Sequence, residues 1–270
     1  MKAIVLTYDK YMVLADHMIT QYQNLWPENP FIYKIPYQSD FVKNYFEEKY
    51  GNKVEMLKSP SGIVETMEHL LEGFHDDDWV YWCMDDRYPI SLNTQAITNL
   101  YQTTKQNIGK EISGLMFINS EWGHLPENLY YRKFKKVNEA KQVLLRRKGY
   151  RMIWLHQFVR VKVLKTMFDN FRVKMAQAKD MDFILYTLKL PDSQRLYTLN
   201  RNVAIFGEST SRGKLTINCE ASLKKNGFEI PRGFTTGNKK IIQGTNTMLD
   251  NFIYFIKHRV KKIIGIKEKE

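Results

Sequence analysis

Two hydrophobic rhythms take turns along this chain. Continuous apolar runs occupy residues 2–8, Phe31–Ile35, Lys53–Leu57, Trp79–Met84 and Ile112–Ile118. Runs of that length, bounded by polar or Pro-containing segments, predict strands buried on both faces. Between them the apolar residues fall at three- and four-residue intervals. Leu14, Met18, Ile19, Tyr22 and Leu25 predict a helix over 11–26, stopped by Pro27 and Asn29-Pro30. Val64, Met67, Leu70 and Leu71 predict a second over 63–74, and a third is expected over 91–106. Strand and helix alternating over the first 118 residues predict an α/β fold, with a mostly parallel sheet, right-handed crossovers and flanking helices.

Beyond residue 119 the rhythm loosens. A polar loop with Trp122, Gly123 and His124 leads to a basic segment, 132–148, read as a solvated helix or loop. A strand is then expected at Met152–Leu155, helices at Val159–Phe171 and Asp180–Leu190, strands over 196–206 and 214–219, and a last helix at Met248–Ile264. The expected organisation is one domain over 1–247, with halves 1–118 and 119–247, followed by a helical tail over 248–270.

Composition narrows the classes. A hydrophobic content of 43% over 270 residues suffices for a core, and there is no repeat or low-complexity segment. Cys83 and Cys219 lie far apart and match no zinc or disulfide spacing. The apolar run at the N-terminus is too short for a signal peptide, and no apolar stretch reaches the roughly 18 residues of a membrane span, so a cytoplasmic setting is expected. Lys and Arg number 41 against 29 Asp and Glu, a formal charge of +12 that favours an anionic partner. The excess gathers in 132–148 and 257–262 without a recognised nucleic-acid motif, which disfavours nucleic acid and leaves phosphorylated substrates or an acidic membrane.

The strand at Trp79–Met84 ends abruptly in Asp85-Asp86-Arg87. Ligands of open α/β sheets bind at the carboxyl ends of strands. Adjacent carboxylates behind a buried run need a cation, a basic residue or hydrogen-bond donors, and a divalent metal bridging a diphosphate would serve. The alternative is a turn before Tyr88-Pro89, one Asp capping the helix that follows. Asp76-Asp77-Asp78 precedes the same strand and reads as a solvated turn at the opposite edge of the sheet.

Residues 5–11 (Val-Leu-Thr-Tyr-Asp-Lys-Tyr), the helix end Asn24-Leu-Trp-Pro-Glu-Asn-Pro30 and Trp79-Val-Tyr-Trp-Cys-Met-Asp-Asp-Arg-Tyr88 together resemble the GT-A-type bacterial glycosyltransferases of surface-polysaccharide (lipopolysaccharide or capsule) biosynthesis. The resemblance covers about residues 2–190 and is most specific at the first strand-helix unit and the Asp-Asp strand end. It implies a nucleotide-sugar donor with Thr7, Tyr8 and Asp9 near its base and ribose, Asp85 and Asp86 facing its diphosphate, and a glycan or lipid-linked acceptor. Arg87 stands where the family's Asp-X-Asp motif has its last Asp. Mg²⁺ or Mn²⁺ on Asp86 and Asp85, and metal-independence through the arginine, are therefore both open.

The resemblance also implies a general base near the start of a later helix, in inverting members. Asp182 is the first candidate and Asp180 the second, each also readable as a first-turn helix acid. His156 and Gln157 resemble residues that close the sugar site. The loop Gly207–Lys214 carries Gly, hydroxyl and basic residues that can cradle phosphate, Arg212 and Lys214 among them, but lacks P-loop spacing.

Over 248–264 the apolar residues Phe252, Ile253, Ile256, Val260, Ile263 and Ile264 form one stripe flanked by Lys and Arg. Such a helix can dock on the protein's own core or lie on an anionic membrane, which would place the protein at the inner face of the membrane. Two alternatives to a glycosyltransferase remain. A nucleotidyltransferase would share the fold and paired acids, although no Gly-rich N-terminal loop is present; a basic nucleic-acid-binding protein would explain the charge alone.

Overall fold

A computed structural model describes residues 1–106, 112–119, 131–150, 152–177 and 179–245. In chain order its elements are β1 (Lys2–Leu6), α1 (Met12–Leu25), β2 (Ile32–Tyr37), α2 (Asp40–Tyr50), β3 (Val54–Lys58), α3 (Ile63–Leu71), β4 (Trp79–Met84), β5 (Arg87–Leu92) and α4 (Thr94–Lys105). Then follow β6 (Ile112–Met116), β7 (Tyr131–Val137), β8 (Val143–Arg147), β9 (Gln157–Arg160), α5 (Val161–Lys174), α6 (Asp180–Thr187) and β10 (Arg195–Leu199). The series closes with β11 (Ala204–Glu208), β12 (Thr210–Ser211), β13 (Lys214–Leu215), α7 (Ile217–Lys225) and β14 (Ile242–Gln243).

The main sheet has the order β3-β2-β1-β4-β9-β6-β10-β8-β7. Strands β3, β2, β1 and β4 pair in parallel, β9 is wedged antiparallel between β4 and β6, and β8 also runs against its neighbours. Alternation along the central strands sends side chains to two cores. Ala3, Val5, Tyr81 and Cys83 join Leu14, Met18 and Tyr22 of α1 and Ile97 and Leu100 of α4. Ile4, Val80, Trp82 and Met84 join Met67 and Leu70 of α3 and Leu164, Phe168 and Phe171 of α5 on the other face. With both faces covered, the central strands read as continuous apolar runs.

A smaller sheet, β14-β11-β5, stands beyond the end of β4. Here the structure corrects the expected course of the chain. The Asp-Asp turn leads into β5, not a helix, so neither Asp caps α4; that cap is Asn93, whose side chain accepts from the Ala96 amide. Residues 152–155 form turns, with the strand starting at Gln157. The 214–219 strand is a two-residue β13 and the start of α7, capped by Thr216. The basic segment is no helix or loop but the β7-β8 hairpin, in which Arg147 is buried and donates to Gln157 Oε1 at 3.0 Å. Helix α2, which buries Val42, Phe46 and Tyr50, is an addition to the expected elements.

Asp76 and Asp77 do lie in an exposed turn at the far edge, paired with Lys165 (2.7 Å) and Lys162 (2.9 Å). The helix expected over 248–264 and the loop with Trp122, Gly123 and His124 lie outside the described residues. Among the described residues no helix is long and apolar enough to cross a membrane.

Candidate active site

The carboxyl ends of β1 and β4 open into a cavity of about 530 Å³, at the place where open α/β sheets bind ligands. Thr7 and Tyr8 of the β1 end line it, together with Gln38 after β2, Ser61 after β3, and Asp85, Asp86 and Arg87 after β4. Met181 and Asp182 of α6 and Trp154 close the opposite wall, and Thr210 borders it.

The floor is a carboxylate corner with its cation already in place. Asp85 is buried and its Oδ2 accepts from the Thr7 hydroxyl at 2.6 Å. Burial, and then the charge of Asp86, push its carboxyl well above the usual range. Asp86 Oδ2 accepts from Arg87 Nη1 at 3.0 Å, and Arg87 Nη2 lies 3.0 Å from Glu208 Oε1. Gln243 Nε2 donates to the same Glu208 oxygen at 3.0 Å. The backbone is clamped as well: the Ser209 amide donates to Asp86 O at 2.7 Å and the Ser209 hydroxyl to Asp85 O at 3.2 Å.

Glu208 is the site residue the sequence hid. It reaches Arg87 because β11 pairs antiparallel with β5 in a register that sets Glu208 opposite Arg87 and Gly207 opposite Tyr88. The Tyr88 ring lies over Gly207 so closely that a Cβ there would overlap it.

The other candidates divide. Asp182 lines the cavity and accepts from the Trp154 indole N–H at 2.9 Å. Asp180 faces its own chain, its Oδ2 accepting the amides of Ala176 (3.0 Å) and Gln177 (2.9 Å). Asp9 does likewise, accepting the amides of Gln38 (2.9 Å) and Ser39 (2.8 Å) and so tying the β1 end to the β2 end. Arg212 and Lys214 are exposed on the β12-β13 turn, where Arg212 takes a positive φ of 52°. They sit beside Thr210 without lining the cavity.

His156 and Gln157 are placed inside the core rather than at a sugar site. His156 Nδ1 meets the Tyr22 hydroxyl at 2.8 Å, and Tyr22 in turn contacts the Tyr81 hydroxyl; His156 Nε2 lies 3.1 Å from Met84 O. Burial drives its imidazole down to about 3, so it is neutral and braces β4 one residue before the corner. Gln157 Nε2 donates to the carbonyls of Ile153 (3.0 Å) and Leu155 (2.9 Å), satisfying the turns before β9.

A divalent cation finds one free oxygen here. Asp86 Oδ1 is buried without a hydrogen-bond partner among the described residues. No group of three His, Cys, Asp or Glu side chains among the described residues is arranged to hold a metal. A cation on Asp86 and Asp85 would therefore take its remaining oxygens from a diphosphate and water, as Mg²⁺ does at phosphate sites.

No protein-family model matches the chain, and no curated protein does. Solved structures with a similar course include a 4-diphosphocytidyl-2C-methyl-D-erythritol synthase from Anaerococcus prevotii, at 10% identity and a TM-score of 0.43, covering 84% of this chain and 94% of that one. The galactosyltransferase LgtC, solved with donor and acceptor sugar analogs, matches at 10% identity and a TM-score of 0.40, covering 100% of this chain and 98% of its own. At these values the matches assign no residue role. By its own strand order and directions the chain has an α/β fold with a mixed, mostly parallel sheet flanked by helices.

Proposed function

We propose that this chain is a glycosyltransferase that binds a nucleotide-sugar donor over the carboxyl ends of β1 and β4 and transfers the sugar to a glycan or lipid-linked acceptor. The observation that carries the reading is the Asp85-Asp86-Arg87 corner on the floor of a cavity whose opposite wall presents Asp182. In this reading Thr7 and Tyr8, which line the cavity, meet the nucleoside, and Arg87, which lines it too, offers N–H groups to the diphosphate oxygens. In the inverting reaction Asp182 takes the proton of the acceptor hydroxyl while its oxygen attacks the anomeric carbon. The bond from that carbon to the diphosphate breaks, and the nucleoside diphosphate departs with the electron pair. The hydrogen bond from the Trp154 indole to Asp182 supports this role by restricting the carboxylate. A divalent cation, where used, would be held by Asp86 and Asp85 and would neutralise diphosphate charge.

The test is a thermal-shift and hydrolysis screen against UDP-, GDP-, CMP- and dTDP-sugars, with and without Mn²⁺. Stabilisation and slow hydrolysis by one class of nucleotide sugar are expected. Stabilisation by nucleoside triphosphates alone, with pyrophosphate release in the presence of a sugar phosphate, would replace this reading by a nucleotidyltransferase.

A further inference from the structure

One stretch of chain borders the cavity from Tyr11 to Thr210, both of which line it. Phe234 packs edge-on against Tyr11, with ring centroids 5.2 Å apart, and Lys10 Nζ lies 5.5 Å from the same Phe234 ring. From Phe234 the chain runs back beside β13. The Leu215 amide donates to Thr235 O at 2.9 Å, the Gly237 amide to Leu215 O at 2.8 Å and the Ile217 amide to Lys239 O at 2.9 Å. The β12-β13 turn and residues 231–240 therefore form one continuous surface beside the cavity mouth.

That surface is basic. Over residues 208–240 seven Lys and Arg stand against three Glu and no Asp. Glu208 faces Arg87 on the cavity floor and Glu220 pairs with Lys224, which leaves Glu229 against the six remaining cations. Asp9 and Lys10 add one charge of each sign. Arg212, Lys214, Arg232, Lys239 and Lys240 are all exposed and form no ion pair among the described residues. The neutral side chains narrow the occupant. Thr235, Thr236 and Asn238 are exposed, whereas Phe228 is half-buried and Phe234 buried, so the stretch offers no open ring. Anionic bilayers are met by exposed aromatic groups, and single-stranded nucleic acids by rings on which bases stack. Cations among hydroxyl and amide groups suit a saccharide that carries carboxylate or phosphate.

We propose that the acceptor is an anionic saccharide, and that Arg212, Lys214, Arg232, Lys239 and Lys240 hold its charged groups where it leaves the cavity. The inference rests on the glycosyltransferase reading. A cavity of about 530 Å³ is the size of a single small-molecule site, so an acceptor of several sugar units must run out over a rim. This rim attracts negative charge, and steers an anionic chain toward the mouth. Each exposed ion pair strengthens such binding about twofold, so four together are worth about tenfold or more.

The experiment measures binding of the full chain to oligogalacturonate, to phosphorylated dextran and to neutral dextran, with single-stranded RNA and phosphatidylglycerol vesicles alongside. The wild type is expected to bind an anionic saccharide, more weakly as salt rises, and to ignore neutral dextran; a preference between the two anionic probes identifies the charged group. The variant R212Q/K214Q/K239Q/K240Q should lose about tenfold or more, with unchanged melting temperature and unchanged stabilisation by nucleotide sugar. The variant K53Q/K58Q/K105Q/K174Q, which removes the same charge from exposed positions elsewhere, should bind within about twofold of wild type. Equal losses in the two variants would reduce the effect to net charge and overturn the proposal, as would a wild type that binds neither anionic saccharide. Tighter binding to RNA or to vesicles, lost in the first variant, would give the surface to that partner instead. Loss of the nucleotide-sugar response in the first variant would move these residues to the donor. Anionic saccharide bound through this surface by a protein that answers to no nucleotide sugar would uphold the surface and sink the transferase.

Discussion

Arg87 and Glu208 face each other across the β5-β11 pair, with Nη2 and Oε1 3.0 Å apart and side chains only 9% and 11% exposed. The pair gives the carboxylate corner an internal cation and gives that cation a second anchor. Glu208→Gln keeps the shape but removes the anchoring charge. Because Asp86 still holds Arg87, the expected loss is about 1–3 kcal/mol, below that of a fully orphaned buried charge. Urea unfolding measures it. Donor binding should weaken with it; a variant as stable and as tight in donor binding as wild type would remove Glu208 from the site.

That relationship marks the limit of what the sequence could say. The parallel half, β1 to β4, was legible because its strands are buried on both faces and therefore read as unbroken apolar runs, and the same runs put Asp85 and Asp86 at a strand end. Glu208 gains its meaning only from a cross-strand register more than a hundred residues away in the chain, which no local periodicity encodes. Ile217 and Cys219 look like strand continuation after Leu215, yet Thr216 caps a helix there, and a short apolar run does not distinguish the two. His156, expected to close the sugar site, is instead fully buried and braces β4 through Met84 and Tyr22, a placement that its local sequence does not reveal.

Asp85 predicts a trade of stability against activity. Its carboxyl, raised from 3.8 by burial and by Asp86, favours the protonated form in the folded state. The native state therefore holds this proton where the unfolded chain has released it, and stability falls as pH rises above 3.8. Asp85→Asn keeps an oxygen for Thr7 and removes the charge. The variant should melt higher than wild type at pH 7, lose this part of the pH dependence, and transfer no sugar. A lower melting temperature at neutral pH would refute the assignment.

The buried histidines act in the opposite direction. Burial lowers His17 to about 4 and His156 to about 3, both from 6.5. Each contributes stability that is present above pH 6.5 and is lost as pH falls toward the folded value, by about 1.4 kcal/mol per unit. Chemical unfolding followed from pH 7 to pH 4 should show this loss. His17→Asn, which also gives up the 2.8 Å contact to Ser222, should be less stable at pH 7 yet lose less on acidification.

Gly207 has a steric prediction. With the Tyr88 ring over its α-carbon, Gly207→Ala displaces a ring that also receives a hydrogen bond from Asn218 at 2.9 Å. Overpacking of this kind costs about 1–3 kcal/mol. The displacement occurs one residue from both Arg87 and Glu208, so donor affinity should fall together with stability. Tyr88→Leu combined with Gly207→Ala should recover part of the stability, because the clash is then gone.

Asp180 and Asp182, two residues apart on α6, should separate cleanly. Asp182 stands in the cavity wall on the Trp154 indole, whereas Asp180 spends one carboxylate oxygen on two backbone amides. Asp182→Asn should lower transfer by about 10²–10⁴ while nucleotide-sugar binding persists, the pattern of a lost general base. Its stability should stay within about 0.5 kcal/mol of wild type, as for other exposed positions. Asp180→Ala should lose about 1 kcal/mol of stability, because the amides of Ala176 and Gln177 lose their acceptor, and keep its turnover. Steady-state kinetics with denaturant unfolding on the two variants decides the matter. Equal effects on both would mean that the first turn of α6 acts only as structure and that the base lies elsewhere in the cavity.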